Sequence, residues 1–111
     1  MFFLVEIDYV RSGATPTPES GKFFIENIIL PTLDRAEQLI TEKKIVAGGP
    51  VAGRIALRFI VQADSPQEVD GIVSSLPLWN VAETKVTPLI SLSDRRSHVL
   101  ELLEGLSKMT R

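Results

Sequence analysis

The stretch RIALRFIVQADSPQEV, residues 54–69, sets two periodicities side by side. Ile55, Leu57, Phe59 and Val61 alternate with Arg54, Ala56, Arg58, Ile60 and Gln62, the two-residue repeat of a half-buried strand. Shortly after it, Ser65-Pro66-Gln67-Glu68 has the composition of a capping box. It offers a hydroxyl for the free amides of a first turn, proline at the favoured position, and a glutamate three residues beyond the serine. Val69, Ile72, Val73 and Leu76 recur at helical spacing until Pro77 resists the helical conformation of the residue before it. A strand that feeds a helix at once is half of an α+β unit, and the rest of the chain supplies its partners.

Upstream, Ile45 to Val51 is apolar but interrupted by Gly48, Gly49 and Pro50, which predicts an edge strand with a bulge or bend. Before it, Thr17-Pro18-Glu19 starts a helix. Its apolar stripe is Ile25, Ile28, Ile29, Leu33, Ala36, Leu39 and Ile40, running to about Lys44. Pro31 removes a backbone hydrogen bond inside the stripe while the phase continues, which predicts one kinked helix; two short helices joined at Leu30 are the alternative. Phe2 to Val10 alternates as a first strand, with Phe3, Val5, Ile7 and Tyr9 on one face, and Arg11 to Pro16 reads as a loop. Downstream, Asn80 to Leu89 alternates as a fourth strand, and Ser91 or Ser93 caps a last helix whose Val99, Leu102, Leu103 and Leu106 form one face.

The order β-α-β-β-α-β is the split βαβ arrangement, so the expected fold is α+β and ferredoxin-like over residues 1–90, with a helical extension over 91–111. Two helices cover one face of such a sheet. The other face keeps Phe2, Leu4, Val10, Ala56 and Ile60, and a second copy of the sheet is its natural cover, giving a homodimer or a larger ring.

With 12 basic against 14 acidic residues there is no cationic surplus for a phosphate backbone, so nucleic acid is not an expected partner. The chain has no cysteine and one histidine, His98, which leaves neither a thiol nucleophile nor a zinc site. The N-terminal apolar stretch has no basic residues before it and acquires Glu6 and Asp8, unlike a signal peptide, and no uncharged run spans a bilayer; the expected compartment is the cytoplasm.

Several stretches have a familiar look. Met1-Phe2-Phe3-Leu4-Val5-Glu6-Ile7, Ala63-Asp64-Ser65-Pro66-Gln67-Glu68-Val69, Ser75-Leu76-Pro77-Leu78-Trp79 and Val86-Thr87-Pro88-Leu89 resemble the muconolactone Δ-isomerase family across residues 1–90. The resemblance implies a dimeric α+β barrel, in which two ferredoxin-like sheets meet face to face, and a cofactor-free isomerase chemistry. The chain departs from the isomerase pattern at Leu4, where that pattern has histidine, and at Ile45 to Val51, where it has tryptophan, arginine and histidine. The Ala47-Gly48-Gly49-Pro50 stretch is also similar to the YCII-like barrel proteins, a resemblance that implies a paired histidine and aspartate, but His98 lies in the last helix and offers no such pairing by position.

By strand alternation Glu6, Asp8, Arg54, Arg58, Glu83 and Lys85 share the open face. In the structural reading they are cross-strand ion pairs. In the catalytic reading Glu6 or Glu83 is a general base and Arg58 or Lys85 stabilises an enolate or carboxylate. Leu4, Asp8, Arg54, Ile60, Lys85 and, from the loop before the fourth strand, Trp79 are the expected substrate contacts. The interleaved cations argue against a metal held by Glu6, Asp8 and Glu83, and the glycines at 48–53 lack the Lys-Ser/Thr ending of a phosphate loop.

Overall fold

The computed structural model describes residues 1–11 and 16–110, so most of the loop expected over 11–16 lies outside the described residues. Four strands, β1 (Phe2–Tyr9), β2 (Ile45–Pro50), β3 (Ala56–Gln62) and β4 (Ala82–Leu89), form an antiparallel sheet in the order β2-β3-β1-β4. This is the ferredoxin-like α+β fold, with β1 and β3 central as expected.

Alternation decides which face each side chain joins. Phe3, Val5 and Ile7 of β1 are fully buried with Leu57, Phe59 and Val61 of β3 in a single apolar core. The helices close that core. The first is continuous from α1 (Pro18–Phe24) through one π-helical turn (Ile25–Ile29) into α2 (Leu30–Thr41). Thr17 and Ser20 cap it reciprocally, each side-chain oxygen accepting the other's backbone N–H at 3.1 and 2.8 Å. Pro31 has no N–H to offer, and in the widened turn just before it the Leu30 N–H reaches the Ile25 carbonyl five residues back.

That turn corrects the expected stripe. An extra residue in the turn rotates the faces on its two sides, so Phe24, Ile28, Thr32, Ala36 and Leu39 face inward while Ile25 and Ile40 are each 51% exposed. The helix also stops at Thr41 rather than Lys44, with Lys43 in the left-handed region at φ 62°.

The second covering helix, α3 (Pro66–Ser74), is capped by Ser65, whose Oγ accepts the Glu68 N–H at 3.1 Å. The reciprocal bond differs from a capping box: the Glu68 carboxylate accepts from the Asp64 N–H at 2.9 Å. A 3₁₀ turn at Pro77–Val81 takes the first two residues expected of the fourth strand, because the Leu78 N–H is drawn to the buried Thr32 Oγ1 of α2 at 2.9 Å. Likewise β3 begins at Ala56, and Ile55 before it is 45% exposed.

The last helix, α4 (Leu92–Met109), begins at Ser91, whose Oγ accepts the Asp94 N–H at 3.0 Å. All its residues are exposed and the chain measures 72 × 32 × 24 Å. The radius of gyration, 19.3 Å, exceeds the roughly 13 Å of a compact chain this long. The helix projects as an arm. None of the described helices is long and apolar enough to cross a membrane.

At the sheet edge, β2 carries its bulge between Ile45 and Ala47, and Gly48 follows at φ +102°. A Cβ at Gly48 would run into the Arg58 carbonyl, whereas one at Gly49 would meet nothing. Gly48→Ala is therefore expected to lower unfolding stability in urea by roughly 1–3 kcal/mol, and Gly49→Ala by a fraction of that.

Candidate functional site

The open face of the sheet is divided along its length. At one end the Cα register pairs Phe2 with Leu89 and Leu4 with Ile60, an apolar half. At the other end Glu6 lies between Arg58 and Lys85, and Asp8 between Ala56 and Glu83. The register thus brings together all the expected charged residues of β1, β3 and β4, and Arg54 reaches in from the turn before β3.

Asp8 is the hub of this half. Its Oδ1 accepts from Arg54 Nη2 at 2.9 Å and from Arg58 Nη2 at 3.1 Å, and its Oδ2 accepts from the same Arg58 nitrogen at 3.2 Å. Arg58 also places Nε 3.6 Å from Glu6 Oε1. Arg58 and Glu6 are about seven-tenths buried, so this pair is screened less than the Arg54–Asp8 pair nearer solvent. Ala56, expected on the open surface, is 3% exposed. It stands opposite Asp8, and the arginines two positions to either side both reach that carboxylate.

Glu83 and Lys85 complete the half differently. Directly across on β4, Asp8 meets Glu83, a like charge. Among the described residues neither Glu83 nor Lys85 makes an ion pair. Two shallow depressions of about 610 and 580 Å³ share Asp8 and Glu83. Glu6 and Lys85 line one, and Tyr9, Arg11, Arg54 and Ile55 line the other.

Arg54 and Ile55 also border a smaller, mainly apolar cavity of about 210 Å³ beneath α2, walled by Ile29, Leu33, Pro50 and Leu78. Charged face and apolar cavity therefore meet at the turn before β3. This junction was not visible in the sequence, where Ile55 read as core and Arg11 as loop; Tyr9, assigned by alternation to the helix side, packs there on Phe24 with ring centroids 4.9 Å apart.

Trp79 does not join the charged half. The 3₁₀ turn places it on the helix side of the sheet, in a groove of about 410 Å³ with Phe3, Val69, Val73 and Val86. In that groove Thr84 Oγ1 is buried without a hydrogen-bond partner among the described residues. Also among the described residues, no group of three or more acidic or histidine side chains has the arrangement of a metal site.

A four-stranded antiparallel sheet with helices on one face and a charged half on the other is the ferredoxin-like α+β arrangement, and a solved structure shares it. The family model for muconolactone delta-isomerase matches residues 1–94, and the chain belongs to that family. A similar solved structure is the 5-chloro-2-hydroxyhydroquinone dehydrochlorinase TftG from Burkholderia phenoliruptrix AC1100, in complex with 2,5-dihydroxybenzoquinone. It is 24% identical, with a TM-score of 0.60 over 85% of this chain and 98% of that one. No curated protein matches the sequence significantly. The family match supports a small-molecule-processing enzyme.

Like charges directly across a ladder destabilise it, and Asp8 and Glu83 are such a pair. Glu83→Gln is expected to raise stability by about 0.2–1 kcal/mol in thermal melts at low salt, with the gain shrinking as salt screens the repulsion.

Proposed function

We propose that the protein is a cofactor-free isomerase that moves a proton within a small unsaturated lactone or carbonyl acid, working as a homodimer or larger ring. The observation that carries this reading is the arrangement on the charged half of the sheet: carboxylates of Glu6 and Glu83 beside the cations Arg58 and Lys85, in depressions open to a ligand. Family membership supports the same chemistry.

Glu6 or Glu83 takes a proton from a carbon adjacent to the substrate carbonyl. The electron pair left behind shifts onto the carbonyl oxygen, and Arg58 or Lys85 stabilises the resulting enolate. The same carboxyl group returns its proton to another carbon of the conjugated system, so the double bond is displaced and nothing is gained or lost. Asp8 serves by holding Arg54 and Arg58 in place. Leu4 and Ile60 supply an apolar wall on the same face, and Arg54, lining the depression it shares with Asp8 and Glu83, gives an anionic substituent a partner.

A second reading has its own observation. The ion pairs from Arg54 through Asp8 and Arg58 to Glu6 already engage two of the carboxylates, as expected of a structural or purely ligand-binding barrel.

Proton NMR in deuterated water, with a panel of unsaturated lactones and keto acids, separates the two readings. Enzyme-dependent deuterium uptake into at least one compound is expected, falling by about 10²–10⁴ in either Glu6→Gln or Glu83→Gln, whichever removes the base. Arg58→Met should lower it in a protein that remains folded. Line broadening of a bound compound with no uptake from any of the panel would favour the ligand-binding reading.

A further inference from the structure

The arm carries a pattern that the rest of the molecule does not use. Along α4, Leu92, Arg95, Val99, Leu102, Leu106 and Met109 fall at alternating steps of three and four residues, the a and d positions of a heptad repeat. All but Arg95 are apolar, and the exposures run from 50% at Val99 to 91% at Leu92. The family match ends at residue 94, so nearly all of this seam lies beyond the family's domain.

We infer that α4 pairs antiparallel with α4 of a second copy of this chain. The seam is complementary to itself in that orientation: each a position meets a d position of the other copy, Leu92 against Met109, Arg95 against Leu106, and Val99 against Leu102. All three layers share one two-fold axis between residues 100 and 101, as an isologous contact requires. A parallel pair would instead set Arg95 against Arg95 inside the seam. The antiparallel pair lays the arginine stem along Leu106 and lets the guanidinium reach water at the edge.

Size also selects this occupant. The helix is about 27 Å long and its seam about 10 Å wide, a strip that one helix of equal length covers end to end. Such a contact falls near the low end of stable interfaces, about 1,200 Å² in total, so the pairing is reversible and depends on concentration. It stands whether or not the sheet faces also meet, because the arm projects clear of the domain.

The chain has no cysteine, so single introduced thiols report the pairing without interference. Arg95→Cys and Leu106→Cys proteins, mixed and mildly oxidised, are expected to give the mixed disulfide, with little of either homodimer. Predominant homodimers would overturn the antiparallel register, and absence of cross-linking would overturn the pairing itself. In sedimentation velocity, the double change Leu102→Glu with Leu106→Glu should raise the concentration at which the assembly half-dissociates at least tenfold, with the circular dichroism of the sheet domain retained. An unchanged midpoint would equally overturn the inference.

Discussion

One constraint governs both the core and the candidate site: the position of β1 between β3 and β4. Its seven-residue pairing with β3 and eight-residue pairing with β4 fix which side chains point each way. Phe3, Val5 and Ile7 enter the core while Leu4, Glu6 and Asp8 face out. A slip of one residue would exchange the two sets, burying two carboxylates beneath the helices and exposing the largest core side chain. The hydrophobic energy that selects the register therefore also sets Glu6 beside Arg58 and Lys85. The site needs no separate instruction.

What was legible in the sequence follows from this. Strand alternation has a period of two and tolerates little irregularity, so the faces of β1, β3 and β4 could be read from Phe3-Val5-Ile7, Leu57-Phe59-Val61 and Glu83-Lys85, and with them Glu6, Asp8 and Arg58 of the open half, though not Arg11. The inward face of the first helix could not. It depends on the π-helical turn before Pro31, a response to a missing N–H whose location spacing does not reveal. Nor could the place of Trp79 be read: it is set by the Leu78 N–H reaching Thr32 Oγ1, between residues 46 positions apart. Nor does alternation reveal that Ala56, on the open side of β3, is buried, since a period of two sorts faces and not exposure.

The charged half is not arranged for stability alone. Arg58 serves two carboxylates and Asp8 serves two arginines, a chain of ion pairs that holds four side chains in one geometry. Ion pairs this close to solvent contribute little individually. Beside them, Glu83 stands across from Asp8 with no ion pair among the described residues, an arrangement that costs stability within the sheet. Ordered cations next to a carboxylate are what the proposed proton transfer would draw on.

The division of the open face bears on how the proposed dimer would work. A two-fold axis through the apolar half would bring Phe2, Leu4, Ile60 and Leu89 of one copy against the same residues of the other. The charged halves would then lie at opposite ends of the shared interface, one for each copy. There the partner sheet would roof the depressions that are shallow in a single chain, excluding water and strengthening the interactions of Glu6 with Arg58. In such a dimer the apolar half would supply the association, and the association would turn an open charged surface into an enclosed one.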